Sequence, residues 1–325
     1  MRRVAWIAAA VFLVLAAVAG GFAWWLFDRY ERPGPLIQTA VVIVPKGAGV
    51  TEIAARLAER GVIDNVVVFR LGARLEGADT GLRAGEYTFP AGASARDVVD
   101  RMARGETVAR RLTVPEGLTT AQVIALVSMT PGLEGGIGLP PAEGTLLPET
   151  YHYGWGDARA DVLRRMTTSM RETVAELWPA RATNLPFNDP SAAVVLASII
   201  EKETAVAEER PIVAGVFINR LKKGMRLQSD PTVVYGLTGG RRALGRPLTR
   251  ADLADQSPYN TYVIDGLPPG PIANPGRAAL EAALNPAETD ALYFVADGSG
   301  GHVFAKTLDE HNHNVAKWRK MRKNQ

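Results

Sequence analysis

Hydrophobic positions along the chain change their period several times, and each change marks an element. From Val4 to Phe27 they run without a single charge, long enough to cross a hydrocarbon core as one helix. Arg2 and Arg3 precede the run, and Trp24 and Trp25 lie near its far end, where indoles favour the membrane interface. Ala17-Val18-Ala19 has the look of a signal-peptidase site, but the apolar run continues through Phe22, Ala23, Leu26 and Phe27. That continuation favours a retained anchor over a cleaved signal. Residues 1–3 are therefore expected as a cytoplasmic tip and 4–27 as a transmembrane anchor of the cell inner (plasma) membrane. Everything after about residue 28 is expected on the periplasmic, extracytoplasmic side.

Residues 28–38 follow as a linker stiffened by Pro33 and Pro35. A shorter motif then recurs. Val41 to Val44 is β-rich and runs into Pro45-Lys46-Gly47, with Thr51 as the expected helix cap before Ile53, Leu57 and Ile63. Tyr87-Thr88-Phe89 runs into Pro90-Ala91-Gly92, with Ser94 as cap before Val98, Val99 and Met102. Arg111 to Val114 runs into Pro115-Glu116-Gly117, with Thr119 as cap before Val123 and Leu126. Each copy reads as strand, tight turn and capped helix.

Beyond a Gly- and Pro-rich loop at 131–141, the segment Glu143 to Tyr151 contains Pro148 and reads as irregular. Helical periodicity returns from Asp161 to Leu177. A second helix, with Ser191 as its expected cap, carries Glu201 and should end by Pro211; a third spans Ile212 to Leu221 and closes at Gly224. Two polar blocks follow, Met225 to Gly236 and Ser257 to Gly276, whose prolines and glycines predict long ordered loops. Ala291 to Ala296 and His302 to Phe304 read as a β-hairpin around Asp297 to Gly301, and a basic helix from Leu308 to Arg322 closes the chain.

Composition narrows the chemistry. With 325 residues and 47% hydrophobic content the chain can build two or three cored domains. Its 37 basic and 34 acidic residues leave +3, and much of that excess lies in Lys317, Arg319, Lys320, Arg322 and Lys323. No aromatic-interleaved basic groove accompanies it, so nucleic acid is not an expected partner. There are no cysteines, which excludes disulfides, thiol catalysis and a lipoprotein anchor. The four histidines are scattered, and His311-x-His313 diverges on a helix, so no metal site is expected.

The chemistry concentrates in Leu196-Ala-Ser-Ile-Ile-Glu-Lys-Glu-Thr204, where acids interrupt a buried helical pattern. Burial disfavours an ionised carboxylate and raises its pKa, which suits a proton donor near neutral pH; a helix simply leaving the core is the plain alternative. Glu201 and Glu203 lie about 200° apart around a helix and cannot serve one site from one face. Glu201 shares its face with Val194, Ala197, Ser198 and Ala205, small groups that leave room for a sugar ring. Glu203 shares its face with Leu196, Ile199 and Ile200, which could raise its pKa but fit better with holding the helix against the core. The spacing favours Glu201.

Together these segments resemble the endolytic murein transglycosylases, the MltG or YceG-like family. The resemblance rests on Ala197 to Thr204, Val216-Phe-Ile-Asn-Arg-Leu221, Met225 to Tyr235, Ser257 to Tyr262, Gly266 to Gly276, Tyr293-Phe-Val-Ala296, Gly301-His-Val-Phe304 and His311-Asn312. It departs at Thr145 to Tyr151, where the family tends to carry aromatics and an aspartate. The resemblance implies cleavage within peptidoglycan strands between N-acetylmuramic acid and N-acetylglucosamine, with the muramic C6 hydroxyl as nucleophile and a 1,6-anhydro end as product. Such a lyase limits strand elongation and needs one carboxylic acid, no metal and no cofactor, and the family match also places that acid at Glu201.

The implied fold is α+β: the anchor, a LysM-like glycan-binding region over 39–115, and a mixed α/β catalytic domain over 116–325 with long ordered loops. Ser198, Gln228, Ser229, Asp230, Thr232, Tyr235, Asn260 and Tyr262 are candidate substrate-binding residues, with Glu149 and Tyr151 as further cleft candidates. Fixing loop backbone is the plain alternative for each. Peptidoglycan strands, the membrane and peptidoglycan synthases are the implied partners. Two rival readings stand beside this one: a hydrolytic muramidase with Asp230 as second carboxylate, and a non-catalytic scaffold that binds the wall through residues 39–115.

Overall fold

The computed structural model describes residues 2–323. The first residue of the expected cytoplasmic tip and the last two of the expected catalytic domain lie outside the described residues. Two compact units emerge. The first comprises the chain as far as Arg110 together with Gly132–Glu134 and His152–Asp157, and the second comprises Arg111–Pro131, Gly135–Tyr151 and the chain from Ala158 on.

The first unit begins with helix α1, Arg2–Glu31, which is long and apolar enough to cross a membrane. It continues four residues past the expected end of the anchor, because no breaker precedes Pro33 and only Arg32, directly before the proline, is barred from helical backbone. Strand β1 (Ala40–Val44), helices α2 (Val50–Glu59) and α3 (Val66–Leu75), strand β2 (Gly85–Phe89) and helix α4 (Ala95–Arg104) follow. β1 and β2 pair antiparallel, from Ala40 opposite Phe89 to Val44 opposite Gly85. Val42, Val44, Tyr87 and Phe89 face a core built with Ile53, Leu57, Phe69, Val98, Val99 and Met102. Leu26 and Tyr30 of α1 join that core. A Cβ on Gly72 would lie 2.2 Å from the Tyr30 ring, so this close approach requires the glycine.

The recurring turn is real at backbone level: Gly47, Gly92 and Gly117 have φ of +82°, +72° and +74°. Ser94 and Thr119 both cap as expected, each in a reciprocal capping box, with Asp97 and Gln122 respectively. Thr51 does not. The backbone is already extended at Gly49, which becomes the N-cap and starts the helix at Val50, leaving Thr51 inside its first turn.

The chain continues through β3 (Arg110–Thr113), α5 (Thr120–Met129) and the short strands β4 (Leu133–Glu134), β5 (Thr150–Tyr153) and β6 (Asp157–Ala158). The second unit is then built on α6 (Arg159–Leu177), α7 (Pro190–Glu203), α8 (Arg210–Lys222), α9 (Asp230–Thr238), the single turn α10 (Arg250–Leu253) and α11 (Arg277–Leu284). Strands β7 (Tyr293–Ala296) and β8 (His302–Ala305) form the expected antiparallel hairpin, and α12 (Leu308–Lys323) ends the chain.

α7 is capped by Asp189 rather than Ser191. Pro190 occupies the first turn with its φ already set for a helix, which moves the cap two residues upstream, and the Asp189 carboxylate accepts from Ser191 N at 3.0 Å. The block expected to be irregular after Met225 contains a helix, α9. Pro231 is tolerated in its first turn, and Gly239 closes it in the left-handed conformation at φ +59°. The core of this unit is the apolar face of α7 (Leu196, Ile199, Ile200) against Val213, Phe217, Leu280 and Ala283 of α8 and α11. Each such fully buried isoleucine or leucine contributes about 1.5–3 kcal/mol. That packing fixes the last turn of α7 and the two glutamates on it.

Candidate active site

The two acids meet different surroundings. Glu201 lies inside a polar clasp: its Oε2 accepts from Gly276 N at 2.9 Å, and its Oε1 lies 3.6 Å from Arg210, which also bonds Glu116 at 3.2 Å. Its side chain is only 5% exposed. Burial pushes its pKa up, the Gly276 N–H pulls it down, the Glu116 charge raises it and Arg210 lowers it, with a net upward shift. Both carboxylate oxygens have partners. Ala205, expected on the same face, lies beyond the end of α7.

Glu203, the last residue of α7, lies at the wall of a cleft of about 440 Å³ that it lines with Arg220, Gln228, Asp230, Tyr262, His311 and Trp318. Ser229 Oγ donates to its carboxylate. Burial drives its pKa from 4.5 to about 7; the Ser229 hydrogen bond opposes that shift, and the neighbouring Asp230 charge reinforces it. A carboxyl group with this pKa is substantially protonated at neutral pH and can give its proton to a group in the cleft.

The loop that carries Gln228, Ser229 and Asp230 is held from below. Arg220, buried on α8, donates from Nε to Leu292 O at 2.6 Å and from Nη1 to Arg226 O, Leu227 O and Gln228 Oε1 at 3.0, 2.9 and 3.3 Å. Gln228 takes φ +53°, among the described residues the one non-glycine with positive φ. Strain of this kind persists only where surrounding bonds over-determine it, and Gln228 N also donates to Thr261 O at 3.1 Å. Ser229 N donates to Thr261 Oγ1 at 2.9 Å, Thr232 Oγ1 to Ser229 O at 2.6 Å, and the Thr232 and Thr261 hydroxyls lie 2.9 Å apart. Tyr262 Oη donates to Asp230 at 2.6 Å.

The expected binding residues therefore divide. Gln228, Ser229, Asp230 and Tyr262 gather around Glu203. Tyr235 lines a second cavity, together with Asp230, and donates to Glu143 at 3.2 Å. Ser198, Thr232 and Asn260 are fully buried and bonded to backbone: Ser198 to Val195 O and from Ile272 N, Asn260 to Leu253 O and Asp255 O and from Tyr262 N. Tyr151 is buried with its hydroxyl on Leu147 O at 2.7 Å, and Glu149 is exposed; neither lines the Glu203 cleft.

Apart from His311-Asn312, which belongs to the resemblance, the sequence gives little notice of what α12 contributes. His311, Val315, Trp318 and Arg319 line the cleft, although the basic run around them reads as a solvated tail. His311 stacks on Tyr293 at 5.2 Å between ring centroids, and burial together with the Arg220 charge lowers its pKa. The hairpin is tied in by His302, whose backbone N–H and ring Nδ1 both meet the Glu209 carboxylate at 2.7 Å. Among the described residues no group of three or more histidine, aspartate or glutamate side chains could hold a metal ion.

Known proteins resemble this chain over most of its length. The endolytic murein transglycosylase of Bacillus subtilis is 32% identical over 308 residues, covering 84% of this chain and 83% of that protein. The endolytic murein transglycosylase of Streptococcus pneumoniae is 28% identical, covering 94% of this chain, which spans only 63% of that longer protein. A crystal structure of a YceG-like protein from Listeria monocytogenes superimposes with a TM-score of 0.54 at 32% identity, over 85% of this chain and 99% of that one. The family model for YceG-like proteins matches residues 42–317, and on that span the chain belongs to the YceG-like family.

Proposed function

We propose that this protein is a membrane-anchored lytic transglycosylase that cleaves within peptidoglycan strands, with Glu203 rather than Glu201 as its acid. The observation that carries the reading is Glu203 itself: a carboxyl group whose pKa is pushed up to about 7 at the wall of a polar cleft. The names of the B. subtilis and S. pneumoniae relatives support the reaction class. Glu201 is also buried, with its pKa also raised, but less deeply than Glu203, and it is already held by Gly276 and Arg210.

In the proposed reaction the Glu203 carboxyl protonates the glycosidic oxygen as the C1–O bond breaks. The muramic C6 hydroxyl attacks C1 and closes the 1,6-anhydro ring, and the Glu203 carboxylate accepts that hydroxyl's proton, which restores the acid. Water is not consumed. Asp230, bonded to Tyr262 in the same cleft, faces the positive charge that develops at C1. Trp318 offers a ring for stacking a sugar face. Helix α1 supplies the anchor, with the chain that follows it on the extracytoplasmic side, and the β1–β2 region supplies LysM-like glycan binding. Synthases that extrude nascent strands at the same membrane are the partners this placement serves.

The test is digestion of purified, uncrosslinked strands by the full-length protein in detergent, with products read by mass spectrometry. Internal fragments with anhydro-muramic ends, lost in Glu203→Gln by roughly 10²–10⁴-fold and kept in Glu201→Gln, are expected. Reducing ends one water heavier would make Asp230 the second carboxylate of a hydrolase. Loss in Glu201→Gln alone would move the acid back to Glu201, and strand binding without any cleavage would leave a scaffold.

A further inference from the structure

A second cavity of about 490 Å³ shares Asp230 with the Glu203 cleft. Lys202, which separates the two glutamates on α7, and Arg242 line it, and both are exposed. Among the described residues neither has a carboxylate within ion-pair distance; Lys202 Nζ donates only to Gly117 O at 3.2 Å. The third cation there, Arg246, is neutralised by two bonds to Asp252 at 2.6 and 2.9 Å. Apolar wall is supplied by Val234, Leu244, Leu248 and Ile272. The one aromatic ring, Tyr235, packs on Tyr259 with centroids 4.8 Å apart, so the cavity offers charge and apolar contact rather than a stacking platform.

An occupant that meets both cations and the apolar wall carries anionic groups, carboxylates among them, on a short, partly apolar chain. Resting on the strand-cleaving reading above, that description fits the peptide stem attached to the lactyl group of muramic acid, which would leave the sugar in the Glu203 cleft and pass Asp230. We propose that this cavity is a subsite for the carboxylates of the peptide stem, with Lys202 and Arg242 as its cations, so that strands bearing stems are preferred to bare glycan.

The test uses the full-length protein and three preparations of the same strands: with intact stems, with stem carboxylates amidated, and with stems removed. Such preparations contain no lipid pyrophosphate, so that anion cannot account for a preference. Wild type should show a higher kcat/KM on intact than on amidated or bare strands. Lys202→Ala combined with Arg242→Glu should reduce that ratio on the order of tenfold, as two partly exposed ion pairs would, and Arg242→Lys should keep it. A wild-type ratio of one, or a ratio unmoved by the double variant, would overturn the subsite. Should wild type cut none of the strands, the cleavage reading itself falls. The affinity of soluble muramyl tripeptide for wild type against Arg242→Glu then decides the subsite alone: weaker binding in the variant supports it and equal binding overturns it.

Discussion

Glu203 links chemistry to stability in a way that one substitution exposes. Its pKa rises from 4.5 in the unfolded chain to about 7 in the fold, so between those values the native state holds a proton that the unfolded state has released. Unfolding free energy then falls by about 1.4 kcal/mol per pH unit across that window. Summed over the window, the stabilisation lost is on the order of 3 kcal/mol; it is fully present below pH 4.5 and gone once the pH has risen through 7. Glu203→Gln deletes this titration and leaves the other ionisable groups in place, so they cancel in the difference between the two proteins. Denaturant unfolding of full-length protein in detergent, followed by tryptophan fluorescence at pH 4 and pH 8, measures it. The variant should gain roughly 3 kcal/mol relative to wild type on going from the lower to the higher pH, while losing activity. A difference that stays constant with pH would refute the reasoning. A difference of opposite sign would mean that the fold stabilises the carboxylate, which a proton donor at neutral pH cannot tolerate.

Three further outcomes follow from the same geometry. Ser229→Ala removes a hydrogen bond that favours the charged form of Glu203, so the alkaline limb of kcat/KM should move up by about one pH unit or more; a downward move would contradict the assignment. Asn274 is fully buried, accepts from Leu146 N at 2.9 Å and donates to Leu118 O at 3.0 Å and Thr120 Oγ1 at 3.2 Å. Asn274→Leu strands those groups and should cost about 1–3 kcal/mol for each one left unpaired, read as a lower denaturation midpoint. Gly215 on α8 leaves room for the chain at Ala287, whose carbonyl oxygen would lie 2.6 Å from an added Cβ. Since a backbone atom yields poorly, Gly215→Ala should destabilise by about 1–3 kcal/mol, checked by the same midpoint.

What the sequence determined was local and periodic. The uncharged run of α1, the capping boxes at Ser94 and Thr119, the positive-φ glycines of the Pro-x-Gly turns and the hairpin around Asp297 depend on neighbours a few residues away, and they are legible as spacing. Where a local signal had a near competitor, as with Ser191 beside Asp189-Pro190, or where proline can either break or begin a helix, as at Pro231, spacing alone did not decide. The choice between Glu201 and Glu203 belongs to the second kind of information. Helical geometry separated their faces, and small neighbours pointed to Glu201, but the pKa of a buried acid depends on what reaches it from elsewhere in the chain. Gly276 and Arg210 close around one glutamate; Ser229, Asp230 and the side chains of α12 surround the other. Those partners are separated from α7 by up to a hundred residues and more, and only the packing of α7 against α8 and α11 brings them to its last turn. The inward role of Trp318 and His311, hidden in a basic run that reads as solvated, was decided by tertiary structure for the same reason.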